Sequence, residues 1–127
     1  MQKAMFILYV SDQARARDFW RMVLDTPPSL DVPGMTEFPL TESSSLGLWP
    51  EANARALIGD KLPDPASARG VPRCELYLYV DDPAAALERL AQAGGILISP
   101  LAPRPWGDLA GYGADPDGNV VAAAKRQ

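Results

Sequence analysis

One line of the sequence is written twice. Residues 5–12 read MFILYVSD and residues 75–82 read ELYLYVDD. At an offset of 70 the pairing runs on: Leu8 with Leu78, Tyr9 with Tyr79, Val10 with Val80, Asp12 with Asp82, Ala14 with Ala84 and Ala16 with Ala86. A chain of 127 residues buries one respectable core but not two independent ones, so two related halves must share one fold.

Each copy is a strand-like apolar run that ends at an acidic or Ser-Asp pair, a good helix N-cap, and is followed by a helical pattern. In the second half Asp81 or Asp82 can cap, Pro83 suits the first helical turn, Leu87, Leu90 and Ala91 form a stripe, and Gly94-Gly95 stops it, which predicts a helix over 83–93. In the first half Phe19, Met22 and Val23 share one face, Arg15, Arg17, Asp18 and Arg21 fall outside it, and Pro27-Pro28 forbids continuation, which predicts a helix over 13–24.

Short strands separated by turn residues follow each helix: Thr36–Leu40 and Leu46–Trp49 in the first half, with Leu30–Val32 as a poor extra strand, and Ile96–Ser99, Gly111–Ala114 and Val120–Lys125 in the second. Asp115-Pro116-Asp117-Gly118 is a strong turn before the last strand. Each half therefore reads β-α-β-β-β, about 4–50 and 74–126, within one α+β domain. A ferredoxin-like domain also alternates strands with two helices, but it needs fewer strands than this sequence offers. Residues 50–72 between the halves contain four prolines and no sustained apolar period, and are expected to form a flexible linker (51–73) or flap.

Composition closes off several functions. The net charge of −4 and pI near 4.7 disfavour a nucleic-acid partner, and no apolar run is long enough to cross a bilayer. The opening MQKAMFILYVSDQ reads as a first strand rather than a signal peptide, so the expected location is the cytoplasm. Cys74 is the single cysteine and there is no histidine, which removes disulfides, multi-cysteine metal motifs and the usual partner of a thiolate nucleophile.

The two half-starts, Leu-Tyr-Val-Ser-Asp and Leu-Tyr-Val-Asp-Asp, the Ala-Gly-Gly closing the second helix, and the terminal GDLAGYGADPDGNVV together resemble the vicinal oxygen chelate superfamily, which holds glyoxalase I, bleomycin resistance proteins and extradiol dioxygenases. The resemblance spans nearly the whole chain, and Asp-Pro-Asp-Gly-Asn is its most specific piece. It implies a glyoxalase-like fold in which two tandem βαβββ units form a cup-shaped, partly open mixed sheet around a binding cleft, and a homodimer.

Strand alternation assigns the faces. Phe6, Leu8, Val10, Leu76, Leu78 and Val80 suit the core. Met5, Ile7, Tyr9, Glu75, Tyr77 and Tyr79 then face the cleft, although these aromatics could equally complete a core or dimer interface. The metal enzymes of the resembled family place ligands at positions that fall here on Met5, Glu75, Ala122 and within Leu46–Trp49; of these, Glu75 alone could coordinate, far short of a catalytic set. No cofactor is therefore expected. Glu75 could anchor a cationic ligand, act as a base, pair with Arg73 or Arg104, or simply face solvent. Trp106 and Arg104, in the loop before the penultimate strand, and Trp49 at the end of the first half are candidates for the rim, where flat aromatics stack on planar ligands; Trp20 suits the core or a dimer contact.

The expected function is metal-independent binding of a small molecule, a drug or metabolite of cationic or aromatic character, with Tyr9, Trp49, Glu75, Tyr77, Tyr79, Arg104 and Trp106 as ligand-binding residues and no catalytic residue. The alternatives are a lyase, isomerase or dioxygenase of the same superfamily, and a non-catalytic subunit that works through protein contacts.

Overall fold

A computed structural model describes all of residues 1–127. The elements run β1 (Ala4–Val10), α1 (Gln13–Leu24), β2 (Leu30–Val32), β3 (Met35–Thr41), β4 (Ser44–Pro50), α2 (Glu51–Ile58), a 3-10 turn (Pro65–Ala68), β5 (Glu75–Tyr79), α3 (Pro83–Gln92), β6 (Ile96–Pro103), β7 (Asp108–Ala114) and β8 (Val120–Arg126). The chain divides into two compact units, Met1–Arg21 with Asp25–Arg69, and Met22–Leu24 with Gly70–Gln127. Both repeat the predicted β-α-β-β-β order, with α2 added to the first. No helix is long and apolar enough to cross a membrane.

The two units have the same sheet. In the first the strand order is β1-β4-β3-β2 and in the second β5-β8-β7-β6; β1 runs parallel to β4, β5 runs parallel to β8, and the remaining neighbours are antiparallel. The repeated aspartate explains the repeated helix. Asp12 Oδ1 accepts from the Arg15 amide at 3.0 Å and Asp82 Oδ1 from the Ala85 amide at 3.1 Å, so each satisfies an amide that the first turn leaves free. α3 ends as its glycines predict: Gly94, at φ 95°, donates to Ala91 O and Gly95 to Leu90 O, the paired closure of a helix that stops on a left-handed residue.

In the first unit Leu8 and Val10 of β1, Phe38 of β3, Leu46 and Leu48 of β4, and Ala16, Phe19 and Trp20 of α1 are buried. Phe19 and Val23 are buried as expected, with Ala16 and Trp20 on the same face; Met22, expected there too, is 42% exposed. Phe6 is a second correction: it shares the parity of Leu8 and Val10 but is 59% exposed. Parity decides where a strand side chain points, and a covering element decides whether it is buried. Leu76, Leu78 and Val80 are likewise only half-buried.

The second unit packs α3 through Ala86, Leu87 and Leu90, with Ala91 exposed instead of buried. Ala123, Val80 and Leu101 complete the cluster around Ala86 and Leu87. Its glycines make that approach possible. A β-carbon at Gly113 would stand 2.6 Å from Leu90 Cδ2 and 2.8 Å from Ile96 O, and one at Gly111 would stand 2.4 Å from Leu87 Cδ1. The second unit also takes in the last turn of α1, where Arg89 donates to the carbonyls of Met22 and Val23 at 3.1 and 3.3 Å.

The segment expected to lack regular structure holds α2 and the 3-10 turn. Its prolines bracket the helix rather than interrupt it: Pro50 precedes Glu51, Gly59 ends the helix at φ 65°, and the eight residues between, EANARALI, are mostly strong helix formers. Ala54 and Glu51 are buried, and Glu51 is ion-paired with Arg69 just past the 3-10 turn. Pro65 is buried as well. The segment is therefore tied to its own unit at both ends of this excursion.

Candidate functional site

The sheet face of the second unit that points away from α3 carries most of the chemistry. Register sets the rows: Tyr77, Ala122 and Tyr112 lie side by side on β5, β8 and β7; Tyr79, Ala124 and Ala110 form the next row; Arg126 and Asp108 form the third. Alternate strands two places apart are separated by about 9–10 Å, twice the inter-strand spacing. The rings of Tyr77 and Tyr112 nevertheless stand 6.4 Å apart, because the strand between them offers only the methyl group of Ala122 and both rings lean over it. Ala110, Ala122 and Ala124 are fully buried beneath this layer.

A carboxylate is tied into the tyrosines. Tyr77 and Tyr79 each donate from the hydroxyl to Asp108 Oδ2 at 2.8 Å, and their rings meet edge-on at 5.4 Å. Trp106 Nε1 donates to the Tyr77 oxygen at 2.9 Å, and Arg126 Nη2 to the Tyr79 oxygen at 2.6 Å. Asp108 is 1% exposed, yet its second oxygen, Oδ1, has no hydrogen-bond partner; the nearest cation is Arg126 Nε at 3.5 Å. Buried carboxylate oxygens are normally satisfied, so an unused acceptor at an aromatic face is a place for a donor from outside the chain.

Trp106 is presented by a turn that the chain uses twice. In Arg104-Pro105-Trp106-Gly107-Asp108 the Gly107 amide donates to Arg104 O at 3.0 Å and the Arg104 amide to Asp108 O at 2.7 Å, with Gly107 at φ 98°. In Asp115-Pro116-Asp117-Gly118-Asn119 the Gly118 amide donates to Asp115 O at 3.1 Å and the Asp115 amide to Asn119 O at 2.9 Å, with Gly118 at φ 91°. Proline at the first loop position and a positive-φ glycine at the third build the same three-residue hairpin loop. One loop stiffens itself with the buried Asp115, which accepts from the amides of Asp117 and Asn119 and from Asn119 Nδ2. The other leaves Trp106 59% exposed, held by its one indole hydrogen bond.

The protonation states follow from these partners. Burial alone would push the Asp108 carboxyl up, but the hydrogen bonds from Tyr79 and Tyr77 and the charge of Arg126 hold it below the usual carboxylate range. Burial pushes the Tyr77 phenol up; the Trp106 hydrogen bond pulls it down, and Asp108 adds to the rise. The proton thus stays on the phenol and the charge on the carboxylate. Neither group titrates near neutrality, as a general base must. The arrangement binds and orients better than it moves protons.

The seven sequence-predicted residues divide between the units. Tyr77, Tyr79 and Trp106 come together as described. Arg104 stands over the Tyr112 ring at 5.0 Å and donates to Ser99 Oγ, Pro100 O and Ala110 O. Tyr9 and Trp49 pair edge-on at 5.9 Å in the first unit. Glu75 shares the parity of Tyr77 but is exposed and forms none of the ion pairs, so of the alternatives open to it solvent exposure is what the structure shows, and pairing with Arg73 or Arg104 is not. Sequence reasoning missed Asp108, Arg126 and Tyr112. A signal was present for the first: an aspartate opening a strand on the same parity as Ala110 and Tyr112, with nothing apolar to do there.

The residues do not fit a metal. No group of three or more His, Cys, Asp or Glu side chains stands together, and Glu75 is opposite Val120. The first unit has a separate surface hollow of about 310 Å³ lined by Gln13, Ala14, Arg17, Asp31, Val32 and Pro33. Its polar groups are already engaged. Gln13 bridges Val32 O, Thr36 Oγ1 and the Gly34 amide, Thr36 donates to Asp31, and Arg17 pairs with Asp31 at 3.2 Å.

Comparison with known proteins places these features in a family setting. The sequence profile of the Glyoxalase/Bleomycin resistance protein/Dioxygenase superfamily matches residues 4–123. Among solved structures, a glyoxalase-related enzyme from Fulvimarina pelagi is 26% identical with a TM-score of 0.82, over 98% of this chain and 88% of that one. TnmS3, an antibiotic binding protein from Streptomyces sp. CB03234, is 26% identical with a TM-score of 0.71, over 100% and 97%. A glyoxalase/bleomycin resistance protein/dioxygenase family enzyme from Burkholderia phytofirmans PsJN, at 18% identity and a TM-score of 0.80 over 97% of each chain, shares the fold. No curated protein matches the chain significantly.

Proposed function

Since the chain belongs to the Glyoxalase/Bleomycin resistance protein/Dioxygenase superfamily, yet brings no three His, Cys, Asp or Glu side chains together, we propose that it binds an organic small molecule, a drug or metabolite, on the open aromatic face of its second unit. The observation that carries this function is Asp108 Oδ1, a buried acceptor without a hydrogen-bond partner, set among Tyr77, Tyr79 and Trp106. Aromatic planes supply contact area and a single fixed acceptor supplies orientation, the usual division of labour in a small-molecule site. The likeness to an antibiotic binding protein across the full chain supports binding of an organic molecule.

The test is a titration of the protein with a panel of aromatic natural products and drugs, read by tryptophan emission and calorimetry, before and after exhaustive chelation. Affinity should survive chelation and fall about tenfold or more on Trp106→Ala, the order of a lost stacking contact plus a hydrogen bond. A ligand whose binding disappears with chelation, or is indifferent to Trp106→Ala and Tyr77→Phe, would place the site elsewhere.

A further inference from the structure

The open face of the second unit holds two guanidinium groups over two tyrosine rings, and they are bound very differently. Arg104 lies 5.0 Å from the Tyr112 centroid and is anchored: Nε and Nη2 both donate to Ala110 O, and Nη2 also reaches Ser99 Oγ and Pro100 O, at 2.9–3.0 Å. Arg126 lies 5.1 Å from the Tyr79 centroid and donates to the Tyr79 hydroxyl, but its Nε is 3.5 Å from Asp108 Oδ1 and makes no hydrogen bond to it. Its side chain is 76% exposed, against 1% for Asp108.

Arg126 therefore sits where three features converge: the face of a tyrosine ring, a phenol oxygen, and a buried carboxylate oxygen. A planar cation is what such a corner selects, since the ring quadrupole and the carboxylate both attract positive charge and both oxygens accept hydrogen bonds. Arg126 fills the corner incompletely. Its backbone is fixed by pairing opposite Asp108, and the next amide, Gln127, donates to Gly107 O. The side chain reaches the corner from a fixed root and meets Oδ1 only as an ion pair at 3.5 Å, without a hydrogen bond; being mostly in water, it can swing out at small cost.

We propose that Arg126 is a stand-in for the ligand: the corner formed by Tyr79 and Asp108 is a cation subsite, and an amidinium, guanidinium or ammonium group of the bound molecule displaces the Arg126 side chain and satisfies Asp108 Oδ1. This goes beyond small-molecule binding at the same face, on which it rests, by naming the charge of the ligand and the residue that competes with it. The charges facing the corner are consistent with a cation once Arg126 has moved. Asp108 lies within it, Glu75 is exposed on the same sheet face, and Arg104, which keeps its charge, is anchored over the neighbouring Tyr112 ring by three neutral oxygens rather than at this corner. An anionic ligand held between the two arginines is the opposite reading, and its charge would have to sit against the buried carboxylate.

Three probes of one shape separate these cases: benzamidine, benzamide and benzoate, which carry a positive, neutral and negative group on the same ring. Each is titrated by NMR, following the Trp106 indole and the backbone amides of the whole chain, into wild type, Arg126→Ala and Asp108→Asn. Arg126 is 76% exposed, so its replacement should leave the fold intact, and the result does not depend on Asp108→Asn folding. Wild type should prefer benzamidine, and Arg126→Ala should bind benzamidine about tenfold more tightly, as a competitor worth one cation–π contact and one charge-assisted hydrogen bond is removed, with benzamide unchanged. Asp108→Asn should abolish the preference. Weaker or unchanged benzamidine binding in Arg126→Ala, or a preference for benzoate that Arg126→Ala destroys, overturns the cation subsite. If benzamide perturbs Trp106 while benzamidine gains nothing in either protein, the binding face stands and the cation subsite falls. If none of the three binds either protein, both fall.

Discussion

The Tyr77 hydroxyl donates to Asp108 Oδ2 at 2.8 Å and accepts from Trp106 Nε1, so β5, the first residue of β7 and the hairpin loop that carries Trp106 are joined through one oxygen. Asp108 is the hub: two phenols and one guanidinium converge on a carboxylate that the backbone places at the first residue of β7. The cation subsite proposed at this face depends on that carboxylate staying charged.

The charge gives a pH dependence with a definite sign. The folded protein holds Asp108 below its ordinary range, so the folded state binds that proton less readily than the unfolded chain does. The stability this contributes is present above about pH 4, the unfolded carboxyl value, and is lost as pH falls through the lower folded value. Asp115 acts oppositely: burial raises it in the fold, although Asn119 and Asp117 donate to it. Whole-protein melting curves mix the two, so the measurement is the difference in Tm between wild type and Asp108→Asn from pH 7 to pH 3. It should shrink towards zero at the acid end; a difference that holds or grows there would contradict the assignment.

Ala122→Leu should separate binding from folding. A larger side chain on β8 fills the gap over which Tyr77 and Tyr112 approach to 6.4 Å, so the rings must part. The expected cost in stability is about 1–3 kcal/mol, typical of overpacking a buried site. Circular dichroism should show a folded protein, and ligand titration should show the aromatic face lost.

Gly113→Ala should destabilise by about 1–3 kcal/mol through the same mechanism on the opposite face, because the new methyl meets Leu90 Cδ2 and the Ile96 carbonyl oxygen. Leu90→Ala alone should cost about 2–5 kcal/mol as a cavity substitution. In the double variant the smaller residue 90 makes room for the methyl, so chemical denaturation should give a loss smaller than the sum. Strict additivity would mean that the Ile96 carbonyl, not Leu90, sets the limit.

Arg69→Ala should loosen the segment after α2. It removes the partner of the buried Glu51 carboxylate and leaves that charge uncompensated, at a cost of about 1–3 kcal/mol. Cleavage by chymotrypsin near Leu57 and Leu62, both exposed beside this anchor, should accelerate well before global unfolding. Cleavage at the wild-type rate would mean that Pro65 and Ala54 hold the segment without the ion pair.

Much of this was legible in the repeat. The paired aspartates Asp12 and Asp82, the Gly94-Gly95 stop and the Asp-Pro-Asp-Gly turn are local devices. Each acts on its own backbone within a few residues, so sequence suffices to place both main helices and the last hairpin. The helix α2 is hidden by the proline content of the segment around it, because a helix responds only to prolines inside it and Glu51–Ile58 has none.

The sequence by itself determined the repeated strand-helix-strand units and the parity that puts Tyr77 and Tyr79 on one face. Only the tertiary structure decided that Asp108, not Glu75, is the carboxylate those tyrosines share. Glu75 is two residues from Tyr77 along the chain, but Asp108 reaches it across β8 through the register of β5, β8 and β7. Alternation along a strand can be read from sequence spacing, whereas partners across strands depend on which strands are neighbours and at what offset, and no local signal fixes either.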